Sequence, residues 1–459
     1  MQESLIKNKY GKVLVVGFGR SGRAVIEFFV QNDVFVDIYD DRQFDSLTEI
    51  DKAFLNDKGV GIYFAEMPAS MESYDVAVVS PGVSLDAKIM TTAKDANVNI
   101  IGELELAYQV GQGEYYAITG TNGKTTTTTL VGEIFKNANR DTRVVGNIGN
   151  PAIKEATTST SETCFVAEVS SFQLETIEEF SPKVSAILNI TPDHLDRHKT
   201  FENYADAKAS IFINQNKEDY AVLNWDDEET RKLKDKCLAK VIFFSRVDDL
   251  EEGVCLVGNK ITIKLDGKEI EVCDISQLQI PGSHNIENAL SAVAVTYCAG
   301  IDVDVIRKTL IAFAGVEHRL EYVDTIEGIR FVNDSKGTNK DASVKAVEAM
   351  VFPTILIAGG YDKKSDYKEL IEAFGDKVKA MVLFGATAEK IKAEAESLGF
   401  YENYLEKDMA HSVRKAYALA KAGYTVLLSP ACASWDMYKS FEDRGKDFKK
   451  CVKQIKNQK

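Results

Sequence analysis

Apolar residues recur along the chain in short unbroken runs, and most runs lead into a glycine-rich corner followed by apolar residues three or four apart. Runs this short, rich in valine and isoleucine, predict parallel strands covered on both faces, and the longer spacing predicts the helices that cover them. The first unit has a strand at Val13 to Val16, the corner "GFGRSG", a helical pattern through Phe29 and a strand at Val34 to Tyr39. Runs at Val76 to Val79 and Val98 to Ile101 continue it. A second block opens near Glu103, where "YYAIT" (Tyr115 to Thr119) predicts a buried strand, Thr125 to Asn137 a helix, and "CFVAEVSS" and "VSAILNIT" two further strands. Val254 to Ile275 alternates apolar and polar positions around Asp266-Gly267, which predicts a hairpin. "SHNIENALSAVAVTYCAG" has helical spacing and a C-cap at Gly300. A third block begins after Gly315, with strands at Ile329 to Val332, "TILIAGG", "AMVLFG" and "TVLLSP", helices after Lys340 and from Asp366, and a long charged terminal helix.

The alternation predicts three consecutive α/β domains, at 1–102, 103–315 and 316–459. A chain of 459 residues exceeds what one core supports, which agrees. Apolar residues at 45% and charged residues at 27% exclude disorder as the main theme. A net charge of -15 repels a polyanion at long range, so nucleic acid is not an expected partner, although a local basic pocket for a small anion is compatible. Cys164, Cys237, Cys255, Cys273, Cys298, Cys432 and Cys451 are odd in number and contain no C-x-x-C pair, which argues against a disulfide framework or zinc knuckle and for a reducing cytoplasm. The opening "MQESLIKNKYGKVLVVGFG" lacks a signal-peptide core, and no stretch approaches the roughly eighteen apolar residues of a membrane span.

Two glycine corners compete for a phosphate ligand. "GFGRSG" satisfies G-x-G-x-x-G at Gly17, Gly19 and Gly22 between strand and helix, with Asp40 following 18 positions after Gly22. Alone, that is a dinucleotide fingerprint with Asp40 on a ribose hydroxyl; the alternative is a tight turn that holds another phosphate ligand or none. "ITGTNGKTTTTT" breaks the strict phosphate-loop spacing, because the position six before Lys124 is Ile118 and the glycine stands at Gly120. Gly120 and Gly123 still permit positive φ, so amide N–H groups and a helix N-terminus converge on an anion. Lys124 then reaches the β and γ phosphates, and Thr125 offers a hydroxyl to Mg²⁺. A surface turn with an incidental lysine is the bland alternative, disfavoured by the strand before it and the helix after it.

Acidic groups follow at strand ends. "EVSSFQLE" puts Glu168 at the end of a buried strand, where a carboxylate is costly without a cation. Ser170 and Ser171 of the same stretch also read as a helix cap. "NITPDHLDRH" gathers Asp193, His194, Asp196, Arg197 and His198 after the next strand, at the end where α/β folds bind ligands.

Taken in order, "TGTNGKTT", "EVSSFQLE", "NITPDHLDRH", "SHNIENA", "EHRLE", "NDSKGTN", "GGYDKKSD" and "SPACASWDMYKSFEDRG" give the whole chain a close resemblance to the Mur ligase family, and most to its D-glutamate-adding branch. The family's loop is T-G-T-N-G-K-T, which accounts for Ile118. The resemblance implies a Rossmann-like domain for the UDP end of the substrate, a central ATPase domain and a C-terminal Rossmann-like domain for the amino acid. It implies an enzyme that adds D-glutamate to UDP-N-acetylmuramoyl-L-alanine through an acyl phosphate, with ATP and two Mg²⁺, as a cytoplasmic monomer in peptidoglycan precursor synthesis.

By the same resemblance Gly120, Thr121, Asn122, Gly123, Lys124, Thr125 and Thr126 hold the triphosphate. Thr125 and Glu168 bind the first Mg²⁺, while His194 and a carbamylated Lys208, in "YADAKAS", bind the second. Read without the family, Lys208 is an ordinary helix residue. Asn285 and Asn288 flank adenine, Arg319 takes phosphate and Asp334 ribose. Gly17, Phe18, Gly19, Arg20, Ser21, Asp40, Asp41, Arg42, Ser80, Pro81 and Gly82 surround the UDP moiety, with Asn147 and Ser170 on the sugar side. Thr338, Lys363, Ser434 and Phe441 receive D-glutamate. The chain departs from the family in carrying His198 where relatives often have tyrosine, and in a His194-to-Lys208 spacing one residue shorter than the proteobacterial form.

Three rival readings remain to be separated. Another ligase sharing the ATPase core is disfavoured by the C-terminal "SPACASWDMYKSFEDRG" and by the absence of D-N-P-R. A dinucleotide-dependent oxidoreductase gives Lys124, Glu168 and the third block no purpose. A non-catalytic nucleotide-binding regulator has no use for Glu168, His194 and Lys208 together.

Overall fold

Three sheets organise the computed structural model, which describes residue 6 and residues 9–280, 282–362 and 366–457. The first contains β1 (Lys12–Val16), β2 (Phe35–Asp40), β3 (Gly61–Phe64), β4 (Val76–Val79) and β5 (Asn99–Gly102). All pairs are parallel, in the order β3-β2-β1-β4-β5. The order reverses between β1 and β4, and such a reversal opens a crevice at the carboxyl ends of the strands. Gly17 and Ser80 follow those two strands.

The second sheet contains β6 (Glu114–Thr119), β7 (Asp141–Gly146), β8 (Thr163–Glu168), β9 (Val184–Ile187), β10 (Tyr220–Asn224), β11 (Lys240–Ser245), β12 (Gly253–Val257), β13 (Lys260–Leu265) and β14 (Lys268–Asp274). Their order is β14-β13-β12-β11-β10-β9-β6-β8-β7. The chain leaves β6 toward β8 on one side and β9 on the other, so a second reversal sits beside β6.

The hairpin expected around Asp266-Gly267 is present with both residues at positive φ, 53° and 72°, as a two-residue turn with matched twist requires. A second antiparallel turn at Gly258 joins β12 to β13, so the segment is a three-stranded meander. The pattern reading does not assign β7, β10 or β11. As an edge strand β7 carries mostly half-exposed residues and lacks the apolar run of its neighbours.

The third sheet contains β15 (Glu321–Ile326), β16 (Ile329–Asn333), β17 (Thr354–Ala358), β18 (Val378–Leu383), β19 (Asn403–Leu405) and β20 (Thr425–Leu428), in the order β15-β16-β20-β17-β18-β19. Only the β15/β16 pair is antiparallel. Side chains alternate between two cores: Leu356 and Ala358 pack into one, Ile355 and Ile357 into the other.

The chain forms two compact units, Met1–Leu278 with Ser283–Ala312, and Gln279–Gly282 with Phe313–Lys459. The first two sheets therefore share a unit, and one hydrophobic core runs from Val13 and Val15 through Leu104 and Leu106 to Ala117 and Phe165. The Glu103–Val110 helix crosses that junction with two buried carboxylates. Glu105 is fully buried and accepts from the backbone N–H groups of Glu178, Glu179 and Phe180 at 2.9 to 3.0 Å, which replace its lost water.

Glu103 is served less well. Burial pushes its carboxyl up to about 7, against the opposing pull of the Ile153 N–H at 2.7 Å and the charge of Arg20. A carboxyl raised on folding binds its proton more tightly in the folded chain, so its contribution to stability is full below about 4.5 and is lost as pH rises through about 7. Glu103→Gln keeps the acceptor and removes the titration. Urea unfolding midpoints across that range should show the substituted chain gaining on the parent as pH rises and holding the gain above neutrality. A pH-independent gap between the two would show that Glu103 does not titrate there.

Candidate functional site

The corner after β6 is built by two glycines in conformations that side chains avoid. Gly120 has φ 147° and Gly123 has φ 85°, and a Cβ on Gly123 would lie 2.3 Å from Asn288 Oδ1. Lys124 opens the Lys124–Asn137 helix and folds back, its Nζ donating to the carbonyls of Gly120 at 2.7 Å and Thr121 at 2.9 Å. Asn189 braces the corner from the end of β9: its Oδ1 accepts from Asn122 N at 2.8 Å, and its Nδ2 donates to Asn122 O. Thr121 Oγ1 accepts from Thr191 N and lies 3.1 Å from the Tyr204 hydroxyl. The strand, the glycine corner and the helix N-terminus thus follow one another as the sequence suggests, an order that suits an anion.

Glu168 ends β8, pairs with Ile118 of β6 and is buried. Its Oε1 accepts from Asn147 Nδ2 at 2.7 Å, whereas its buried Oε2 has no hydrogen-bond partner among the described residues. A buried carboxylate oxygen without a partner is among the costlier features a fold can carry, and a cation offsets that cost. Among the described residues no group of three or more His, Cys, Asp and Glu converges on one point. A single carboxylate beside a phosphate loop suits Mg²⁺, which keeps waters and takes substrate phosphate oxygens. Ser170 caps the short Ser171–Leu174 helix in a reciprocal capping box with Gln173, so its side chain is engaged within the chain.

Lys208, in the Phe201–Ala209 helix, is 1% exposed. Its Nζ donates to Gly120 O at 2.9 Å, the same carbonyl that holds Lys124, and lies 4.6 Å from the Tyr204 ring centre. Burial, followed by repulsion from Lys124, holds its ammonium well below the ordinary lysine range, with Asp193 opposing. No carboxylate of the described residues comes within ion-pair distance of it. His194 lies at φ 51° with its ring edge-on to Phe172 and its Nε2 3.6 Å from Asp193, half exposed and without a hydrogen bond to Lys208. His198 is the buried one of the pair. It lies 3.0 Å from Ser171 Oγ and 3.3 Å from Glu175, stacks on Phe172, and burial lowers its pKa. Arg197 bonds Glu175 and donates to Pro81 O at 2.9 Å, tying this corner to the first sheet.

The first glycine corner is tightly closed. A Cβ on Gly22 would lie 2.1 Å from Gly17 O, and Ser80 Oγ donates to that oxygen at 2.9 Å. Asp40 accepts from Phe18 N at 2.7 Å and from the backbone N, Nε and Nη2 of Arg42. Burial opposes its ionisation, but these bonds win and hold its carboxyl below the usual range. Its oxygens are occupied within the chain, so it fastens the corner, with Arg42 Nη2 also donating to Phe18 O. Asp41 accepts from the Tyr39 hydroxyl at 2.6 Å. Arg20 and Ser21 open the Arg20–Gln31 helix, and Gly82 meets nothing that a Cβ would strike.

In the second unit, Asp334 follows β16 and is buried. Burial raises its carboxyl to about 6, while Ser429 Oγ, donating at 2.7 Å, and the charge of Arg319 pull it back. Ser434 is buried, and its carbonyl accepts from the N–H groups of Met437 and Tyr438. Thr338 N donates to Lys336 O, and Phe441 begins the Phe441–Asn457 helix with its ring 5.8 Å from Lys336 Nζ. Lys363 lies outside the described residues.

Two contributors escape the sequence reading. Arg444 is 1% exposed and donates to Ser335 Oγ and O and to Cys432 O, joining "NDSKGTN" to "SPACAS"; burial lowers its pKa to about 10. Nothing in the charged stretch around it marks the burial. Asn189, by contrast, lies within the quoted "NITPDH" and carries a readable signal, a polar amide directly after a buried strand.

Residues 11–102 match the MurD-like N-terminal domain of Mur ligases, residues 118–296 the Mur ligase middle domain, and residues 318–432 the glutamate ligase domain. The chain is 48% identical over 448 residues to UDP-N-acetylmuramoylalanine--D-glutamate ligase of Thermoanaerobacter sp. (strain X514), covering 97% of this chain and 98% of that one. It is 48% identical over 446 residues to the ligase of the same name from Clostridioides difficile (strain 630), covering 97% and 99%. Among solved structures, UDP-N-acetylmuramate-alanine ligase MurC from Thermotoga maritima has the same fold, with a TM-score of 0.59 at 20% identity over 98% of this chain and all of that one. MurF from Acinetobacter baumannii superposes with a TM-score of 0.58 at 17% identity, covering 82% and 85%. With relatives this similar matched from end to end, the chain belongs to the Mur ligase family.

Proposed function

We propose that this protein joins D-glutamate to UDP-N-acetylmuramoyl-L-alanine while cleaving ATP to ADP and phosphate. The end-to-end match to relatives bearing that ligase name carries the reading, and the site chemistry accounts for how it works. A carboxylate is a poor electrophile because oxide is a poor leaving group. Transfer of the γ-phosphoryl group to the alanine carboxylate gives an acyl phosphate, which the D-glutamate amine attacks; phosphate leaves as the amide forms. The difficulty lies in bringing two anions together, and charge neutralisation overcomes it.

The corner Gly120 to Thr126 presents N–H groups to the triphosphate, and Lys124 exchanges its two carbonyl bonds for phosphate oxygens. Mg²⁺ supplies charge neutralisation between the phosphates and the acceptor carboxylate, and Glu168 Oε2 with Thr125 would hold it. We assign Asn285 and Asn288 to the nucleobase, Arg319 and Asp334 to nucleotide phosphate and ribose, and Thr338, Ser434 and Phe441 with Lys363 to D-glutamate. Gly17 to Ser21, Asp40 to Arg42, Ser80 to Gly82, Asn147 and Ser170 serve the UDP substrate, Asp40 and Ser170 by fixing backbone and not by direct contact. We also assign the three functional stretches to 1–102, 103–315 and 316–459.

Lys208 holds a second position. Its amine, pushed toward the neutral form by burial and by Lys124, is nucleophilic enough to add to carbon dioxide, forming an N–C bond and releasing a proton. The resulting carbamate is an anionic oxygen donor that, with His194, would hold a second Mg²⁺. We further propose that the protein works as a monomer in the cytoplasm; no helix of the described residues is long and apolar enough to cross a membrane.

Phosphate release from ATP in the presence of UDP-N-acetylmuramoyl-L-alanine should be stimulated by D-glutamate and not by L-glutamate, glycine or L-alanine. Equal response to all four would remove the D-glutamate assignment while leaving ligase chemistry intact. Lys208→Ala should lose about 100-fold or more in rate, at least the upper end of what an outer-shell partner of a metal costs, and should regain part of it with added acetate or formate. A fully active variant without added carboxylate would exclude the carbamate.

A further inference from the structure

We infer that Asn147 is a positioning residue for Glu168, setting the plane of its carboxyl group so that Oε2 is presented to a phosphate-bound cation. The inference rests on the assignment of Glu168 to Mg²⁺ in the proposed reaction.

The ends of two neighbouring strands bring these residues together. Gly146, the last residue of β7, pairs with Glu168, the last residue of β8. It lies at φ 93°, and a Cβ on it would stand 2.3 Å from Glu168 O, so a side chain does not fit there. The turn that follows carries Asn147 over Glu168. Asn147 N donates to Glu168 O at 2.9 Å, and Asn147 Nδ2 donates to Glu168 Oε1 at 2.7 Å. Gly149 then turns the chain back at φ 71°, where a Cβ would lie 2.2 Å from Val144 O, and Asn150 bridges to Val145. Two glycine turns and a backbone bond therefore place the Asn147 amide independently of its side-chain contact.

Burial does not do the same for the carboxyl group of Glu168. Packing around its aliphatic stem settles where the group lies, but rotation about the bond that carries it is broad and two-fold. A hydrogen bond to one oxygen fixes that rotation. Oε1 has Asn147 Nδ2, and Oε2 is buried with no partner among the described residues. The amide thus holds one oxygen and leaves the other for the cation. Asn147 is itself exposed, so holding Glu168 does not remove it from the sugar-side role assigned to it. Alanine or leucine at this position leaves Oε1 without its donor and the plane unset.

Groups that orient a metal's ligand without touching the metal change metal affinity by about 10- to 100-fold. The test is titration calorimetry of ATP with and without MgCl₂ on Asn147→Ala, Asn147→Leu, Glu168→Gln and the double variant Asn147→Ala/Glu168→Gln. In both Asn147 variants the factor by which Mg²⁺ tightens ATP binding should fall about ten-fold. Binding without Mg²⁺ should stay at the parent value, which also reports an intact phosphate corner. Because Asn147 acts through Glu168, adding Asn147→Ala to Glu168→Gln should cost little more. An undiminished Mg²⁺ factor in both Asn147 variants overturns the inference, as does a loss that extends equally to binding without Mg²⁺. A double variant whose loss is the product of the two single losses also overturns it, since the residues then act independently. Glu168→Gln separates the two levels: if it loses the Mg²⁺ factor and the Asn147 variants do not, only the positioning role is wrong. If Glu168→Gln keeps the full factor, the cation assignment falls, and the inference with it.

Discussion

A carboxylate at the end of a buried strand must be met by positive charge or hydrogen-bond donors, and among the described residues Glu168 is met on one oxygen only. Much of the site follows from how β8 is placed. β8 lies beside β6, which brings the unsatisfied oxygen to the same end of the sheet as the glycine corner and the start of the Lys124–Asn137 helix. In the proposed reaction a phosphate-bound cation would complete Glu168 and the phosphates together, which is why we place the chemistry there and not at the better-formed "GFGRSG".

The corner is rigid because its parts are fixed from several sides. Asn189 holds Asn122, Asn288 presses on Gly123, and Leu188 packs on both glycines. Two lysines donate to Gly120 O, an arrangement that full charge on both would strain. Burial and the charge of Lys124 together hold the Lys208 ammonium well below the ordinary lysine range, which relieves that strain.

How much of this was legible in the sequence depends on range. The glycine corner and Glu168 were readable because strand, turn, helix and strand end are local signals. The D-G hairpin and the Gly300 cap were readable for the same reason, and both are present, Gly300 at φ 74° with its N–H on Tyr297 O. Asp40 shows the opposite case: its spacing from the glycines suggests a ribose contact, yet Phe18 and Arg42 occupy its oxygens, through an arginine whose reach no spacing rule records. Lys208 and Arg444 sit in ordinary charged helical stretches, and their burial results from packing against residues far away in the chain, such as Gly120 and Ser335. β7 was missed because an edge strand needs no apolar run.

We propose that Glu168 and the phosphate corner form one cation-dependent triphosphate site. Titration calorimetry of ATP with and without Mg²⁺, on the parent protein and on Glu168→Gln, tests this apart from turnover. Mg²⁺ should tighten ATP binding markedly in the parent and far less in the variant, while binding without Mg²⁺ stays similar in both. An equal Mg²⁺ effect in the two proteins would contradict the account at its centre.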